Sequence, residues 1–401
     1  RRGLLFCIVA IMPQGPVPAR APRRRLHFCV KALVLAALAA GAVLFARLSY
    51  LTVLGQRNGE FLVTRYNVLE EDFNDPKLRE LRRREGLDKV VAGAPTQFDA
   101  AVRLRKWARS QWEPGSEFYY PPWDASEILD LARRHGNRGF CAQYAIVFLQ
   151  ACLSMGIHAR YVDLPGHFAA AIWSDDYDKW VLMDPLNDLH YERGGMPLSE
   201  RQLCMAYWSK DIRGISRVGS DGARKPVSLE DLRIYRKYSI ILRNNHLSAP
   251  VRIVWNGRAM LLAHRPDYRS YPHIGRDMLL ISDVFLAYRD REATEFFTNR
   301  PYSEDPDDFR HDENQTIIYF AGAKYDKSLV KLVLIPDDSP TFRTFQASVD
   351  GGPWRDTRER GEWKLHPGIN KFSARIVTRF GWNGRESYLK VFYKPSWFPA
   401  H

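Results

Sequence analysis

Three side chains stand in an order that suits acyl transfer: Cys141, His167 and Asp184. A thiol becomes a strong nucleophile once its proton is removed. An imidazole can take that proton and return it to a leaving group, and a carboxylate can orient and charge-stabilise the ring. Such a set attacks a carbonyl or carboxamide carbon, forms an acyl-enzyme and passes the acyl group to water or to an amine. Water as acceptor gives a peptidase or amidase; a lysine amine gives a cross-link.

The elements around these residues decide whether they can meet. From Cys141 to Met155 the residues Tyr144, Ala145, Val147, Phe148, Ala151, Cys152 and Met155 recur at three- and four-residue steps, which predicts a helix. Gly156 marks its end, and Asn137 with Gly139 marks the turn into it. Cys141 then lies in the first turn, where unpaired N–H groups and the positive end of the dipole favour an anion. Cys152 lies mid-helix, the placement of a packing residue. Phe168 to Trp173 and Lys179 to Met183 read as strands joined by Ser174 to Tyr177. That loop sets residues whose numbers sum to 351 opposite each other, so His167 faces Asp184 with Cβ atoms ~4.5–5.5 Å apart. A one-residue change of loop moves the pair to a diagonal, which a carboxylate still bridges. His190 is a weaker rival, because it starts no strand of this hairpin.

The stretch resembles the transglutaminase-like superfamily core. The residues that carry the resemblance are Gly139-Phe140-Cys141 opening a helix, Gly156-Ile157-His158-Ala159-Arg160 leading into a strand, His167 starting the next, and Trp180 with Asp184-Pro185. The likeness spans roughly Asp99 to Gly195. It implies a papain-like α+β fold and an activity among transamidases, cysteine peptidases and peptide:glycan amidases. It also implies that Cys141 is the nucleophile, His167 the base and Asp184 the orienter. Relatives of this kind use a Trp, Tyr or Gln upstream of the cysteine for the oxyanion; Gln111, Trp112 and Trp107 are the candidates here. An upstream helix packs beside the cysteine helix in the family. Asp99 to Gln111 fits, with Ala101, Leu104, Trp107 and Ala108 on one stripe. No cofactor and no metal are expected.

The remaining sequence sets the surroundings. The 401 residues, 45% hydrophobic and 13% aromatic, suit a globular chain of two or three domains. Five cysteines with no CxxC argue against a disulfide framework or a zinc site. The net charge of +13 is dispersed outside the N-terminal arginines and no nucleic-acid motif accompanies it, so nucleic-acid binding is not expected. Attraction to anionic lipid or an envelope polymer is compatible with that charge.

Residues 1–25 read as a basic tail and 26–48 as a transmembrane anchor long enough for ~30 Å of hydrocarbon. Arginines ahead of the span place the N-terminus in the cytoplasm and the bulk of the chain outside. A cleavable signal peptide is the alternative, since small residues occur within the apolar run. Residues 49–86 read as a connector, 87–265 as the catalytic domain, and 266–314 as a mixed linker region ending in the acidic Glu304 to Asp308. The aromatics Phe118, Tyr119, Tyr120 and Trp123 serve equally as a groove wall or as core.

From 315 to 395 short alternating segments, separated by turns such as Asp350-Gly351-Gly352-Pro353 and Asn383-Gly384, predict a small β-sandwich. It resembles the Ig-like modules appended to bacterial extracellular enzymes. The expected whole is a membrane-anchored thiol hydrolase of peptide or side-chain amide bonds, with a protein or peptide as substrate. Transamidation of glutamine to amines and a non-catalytic binding scaffold are the alternatives.

Overall fold

The computed structural model describes residues 34–41, 49–59, 65–66, 68–115, 123–136, 138–242, 244–245, 247, 252–255, 258–261, 285–298, 300–322 and 327–396. Residues 34–41 form an exposed helical stretch, α1. The rest of the span expected over 26–48 lies outside the described residues. Among the described residues no helix is long and apolar enough to cross a membrane.

After β1 (Tyr50–Arg57) come helices α2 (Pro76–Glu85), α3 (Leu87–Val91), α4 (Gln97–Arg109), α5 (Ala125–His135) and α6 (Cys141–Ser154). Local chemistry starts three of these helices. The side chains of Asp75, Thr96 and Asp124 accept first-turn N–H groups of α2, α4 and α5. Strands β2 (Ala159–Leu164), β3 (His167–Ser174) and β4 (Lys179–Met183) then form successive antiparallel pairs. A second small sheet follows from β5 (Leu189–Arg193), β6 (Met196–Pro197), β7 (Ile215–Gly219) and β8 (Arg224–Pro226), with α7 (Glu200–Ser209) between β6 and β7. Strands β9 (Ser239–Ile241), β12 (Phe285–Tyr288) and β13 (Tyr302–Ser303) join the first sheet, while β10 (Arg252–Trp255) and β11 (Arg258–Leu261) pair as a separate hairpin. The strand order of the main sheet is β13-β12-β9-β2-β3-β4.

Strand alternation explains why this sheet is buried on both faces. Tyr161, Ala170, Ile172, Val181 and Met183 point to the helical layer, where Tyr144, Val147 and Phe148 of α6 meet them. Val162, Ala169, Ala171, Trp173 and Leu182 point the other way, against α7, Tyr235 and Tyr238. Every residue of α6 is buried, so the helix is held from all sides. Each large apolar side chain removed from water in this way stabilises the fold by about 1.5–3 kcal/mol.

The C-terminal region is β-rich. Strands β14 (Gln315–Gly322), β15 (Leu329–Asp337), β16 (Phe342–Val349), β17 (Arg355–Thr357), β18 (Arg360–Lys364), β19 (Gly368–Thr378) and β20 (Ser387–Lys394) form two sheets, ordered β14-β15-β18 and β1-β20-β19-β16-β17. Ile318, Val330 and Leu332 of the first sheet share a core with Phe345, Ile376 and Leu389 of the second. The stretch 49–86, read as a connector, thus supplies an edge strand to this sandwich, from Tyr50↔Lys394 to Arg57↔Tyr388. It also supplies α2, whose Leu78 and Leu81 are buried in the helical layer.

One further expectation changes with the fold. The acidic stretch expected as a solvated linker is packed: Phe309 lies edge-on to Tyr238 and Tyr288, and the buried Asp308 accepts from Ser303 and Arg65. Ahead of β9 the chain turns as a 3-10 helix over Arg233–Arg236. The C-terminal sandwich docks on the end of α6. Trp382 Nε1 donates to the Met155 carbonyl at 2.8 Å, and the Phe380 ring lies where a Cβ on Gly156 would sit.

Candidate active site

Cys141 is the first residue of α6, and extended backbone at Phe140 turns the chain into it. The Gln143 carboxamide oxygen accepts from Phe140 N–H at 2.9 Å, closing the first turn from inside. No acidic residue occupies that turn, so the thiol is the group presented to the positive end of the helix. Gly139 is needed just before it. A Cβ there would stand 2.9 Å from the Gln143 Cβ and 3.1 Å from Trp112 Nε1.

His167 opens β3 directly after a two-residue turn. Leu164 pairs with His167 around Pro165-Gly166, and Gly166 has φ +74°, the left-handed conformation a type II turn requires after proline. Asp184 directly follows β4 and bridges to Leu189, with Asp184 N–H donating to the Leu189 carbonyl at 2.9 Å. The β3–β4 register differs from the expected one: Trp173 pairs with Trp180 and Ala170 with Met183, so paired numbers sum to 353. The loop includes Asp178, whose φ is +55°, and Ser174 extends β3. Asp184 therefore meets His167 on a diagonal, and its Oδ2 lies 2.9 Å from Nε2 of the ring.

The electrostatics follow from burial. His167 is 8% exposed, which by itself would lower its pKa. The Asp184 charge and hydrogen bond outweigh that and, with a hydrogen bond to Cys141, raise it to about 10. With Nε2 committed to Asp184, Nδ1 is the ring atom left for the thiol. Burial would raise Asp184, but His167 and two donors from Asn187, at 3.1 and 2.8 Å, hold it below the usual carboxylate range.

A layer beneath the carboxylate escaped the sequence reading. Arg105 of α4 is fully buried; its Nε donates to Asp188 at 2.9 Å and its Nη1 to His190 Nδ1 at 2.9 Å. His190 Nε2 in turn donates to Glu192 at 2.9 Å. Burial and the neighbouring Arg105 push the His190 pKa down to about 4, so the ring is neutral and serves as a structural acceptor. A buried arginine on an otherwise apolar stripe was the available signal, but nothing in the spacing named its partners.

The upstream candidates for an oxyanion donor are differently engaged. Both amide hydrogens of Gln111 are taken, by the Trp107 carbonyl at 2.8 Å and by Ser110 Oγ at 3.3 Å, while its oxygen accepts from Arg133. Trp112 stacks on Tyr144 at 4.3 Å, and its indole N–H donates to the Gly139 carbonyl at 3.3 Å. Trp107 packs at the edge of the helical core. By contrast Gln143 Nε2, on the turn that begins with Cys141, is buried and has no partner among the described residues. Trp123 is core, 5.1 Å from Tyr161; Phe118, Tyr119 and Tyr120 lie outside the described residues. A cavity of about 590 Å³ opens beside His167 and Asp184, lined among others by Tyr191, Arg217, Lys225 and Asp231.

Residues 85–185 match the transglutaminase-like superfamily. The matched segment contains Cys141, His167 and Asp184 and supplies the transglutaminase-like core of a mixed α/β fold. No curated protein matches the chain. Among solved structures, a chain described as a "putative protease" from Parabacteroides distasonis is 12% identical over 38% of this chain and 30% of its own, with a TM-score of 0.21. Red sea bream transglutaminase is 10% identical over 79% of this chain and 72% of its own, with a TM-score of 0.22. The chain thus spans under a third of the first of these.

Proposed function

We propose that the protein is a thiol hydrolase of peptide or side-chain amide bonds, acting through an acyl-enzyme on Cys141. The observation that carries this reading is the single imidazole held between a helix-start thiol and a buried carboxylate 2.9 Å away. The sulfur attacks the amide carbon, the His167 ring delivers its proton to the leaving amine, and water then releases the acid with the ring as base. First-turn N–H groups of α6, left free by helix geometry, and the unpartnered Gln143 amide supply donors for the oxyanion. Asp184 fixes the ring through Nε2 and stabilises its charge.

Water is the proposed acceptor because it is abundant and the cavity beside His167 is lined by polar and charged side chains. The test is to incubate the chain with a glutamine peptide and a labelled amine. Release of ammonia and free acid ahead of label incorporation is the expected result; the reverse order makes the protein a transamidase. Iodoacetamide modification of Cys141 no faster than that of free cysteine would instead leave only a binding scaffold. We further place the catalytic region outside the cytoplasmic membrane, on the strength of the arginines that precede the apolar 26–48. Protease protection of the chain in spheroplasts, with loss on lysis, would overturn that placement.

A further inference from the structure

Far from Cys141, three chain segments bring together a set of side chains that the proposed chemistry does not use. Glu70 precedes α2, His158 lies between α6 and β2, and Glu313 leads into β14. His158 Nδ1 stands 2.7 Å from Glu70 Oε2 and 3.3 Å from Glu313 Oε2, and the three donor atoms lie within 4.8 Å of one another. His158 is 0% and Glu313 7% exposed. Glu70 Oε1 and His158 Nε2 are buried without a hydrogen-bond partner.

Charge makes this set incomplete. Next to it, Asp175 accepts only from neutral donors: Trp173 Nε1 at 3.0 Å, Gln97 Nε2 at 2.9 Å and Asn314 Nδ2 at 3.0 Å. Among the described residues no lysine or arginine pairs with Glu70, Glu313 or Asp175. Carboxylates withdrawn from water with one imidazole between them are costly to ionise together, and a cation compensates that cost.

We propose that Glu70, His158 and Glu313 bind one divalent first-row transition ion, of the Zn²⁺ or Mn²⁺ kind. One imidazole nitrogen with two carboxylate oxygens is a donor set for such ions, whereas Ca²⁺ and Mg²⁺ prefer oxygen alone. Two ligands of a tetrahedral ion with bonds of ~2.0–2.1 Å sit ~3.3 Å apart, the separation His158 and Glu313 already have. Glu70 Oε2, hydrogen-bonded at 2.7 Å, draws back by about 0.6 Å as the ion replaces the Nδ1 proton, which leaves to solvent. The site is structural. The 14 residues of α6, at ~1.5 Å each, separate it from Cys141 by ~20 Å, and its ligands tie the segment before α2, the core sheet and the sandwich to one point. It is independent of the reaction proposed for Cys141.

The test uses the full chain as the Cys141→Ala variant, so that no ion can be held by the thiol, after removal of metals with a chelator. Titration calorimetry with ZnCl₂, MnCl₂ and CaCl₂ is paired with thermal melting. One equivalent of Zn²⁺ or Mn²⁺ per chain with a rise in Tm is expected, and Ca²⁺ should be at least tenfold weaker. Glu313→Gln should weaken the ion at least 100-fold while melting, metal-free, no lower than its parent. An ion pair without a metal role predicts the opposite, a lower metal-free Tm and no ion response in either protein. Glu70→Gln, read the same way, stands in if Glu313→Gln does not fold. Absence of saturable binding, equal affinity in parent and variant, or preference for Ca²⁺ each overturns the proposal.

Discussion

Asp184 reaches His167 from a diagonal position across β3 and β4, with Oδ2 2.9 Å from Nε2. A diagonal contact leaves the carboxylate room to be held from the other side, and Asn187 fills that room with two donors.

Removing the charge but keeping the shape should therefore expose its role. The folded-state pKa of His167, about 10, lies above the ordinary ~6.5. Its contribution to stability is complete below pH ~6.5 and is lost as the pH rises through about 10. Asp184 has the opposite sign: its contribution is present above the usual carboxylate range and disappears as the pH falls. Asp184→Asn should lower kcat/KM by ~10²–10⁴-fold and shift the alkaline limb of its pH profile to lower pH. An unmoved limb would falsify the pairing as the source of the shift.

The oxyanion assignment separates two neighbouring side chains. Trp112→Phe keeps the stack on Tyr144 and loses one hydrogen bond to Gly139, so stability should fall by ~0.5–1.5 kcal/mol and kcat by less than tenfold. Gln143→Glu keeps the acceptor for Phe140 N–H but removes the amide donor, and kcat should fall ~10²-fold or more. Steady-state kinetics on both variants decide the matter. A larger loss from Trp112 than from Gln143 reverses the assignment.

Arg105 is a stability prediction. Arg105→Met leaves Asp188 and His190 without their buried partner, which should cost about 3–5 kcal/mol by urea denaturation. A change under 1 kcal/mol would mean that water replaces the guanidinium freely.

The docking of the sandwich rests on a glycine. Gly156 has φ +73°, and a Cβ there would lie 2.1 Å from the Phe380 ring. Gly156→Ala should cost about 1–3 kcal/mol from backbone strain alone, with more from the ring. Combining it with Phe380→Ala should recover part of the loss. Strictly additive effects of the two substitutions would show that the ring and position 156 do not touch.

How far the sequence discloses all this depends on the range of each interaction. Helical periodicity and Gly156 mark α6 and its end, and strand alternation marks β3 and β4, because these signals are local. The register slipped by two because Ser174 extends β3 and Asp178 adopts a left-handed turn, choices that packing makes. β1 was hidden because an exposed edge strand shows almost no apolar face; Val53 and Leu54 point to solvent and only Leu51 packs inward. Arg105 and the Glu70–His158–Glu313 set were out of reach for another reason. Their partners come from distant segments, and no spacing rule links them.

The pairing of β1 with β20 also has a mechanical meaning. A pull between the residue ahead of Tyr50 and the residue after Lys394 loads the Tyr50–Lys394 rung first, so the strand peels away one rung at a time rather than shearing all at once. Under tension the sandwich would yield at this seam at low force, while α6 and the sheet that carries His167 stay unloaded.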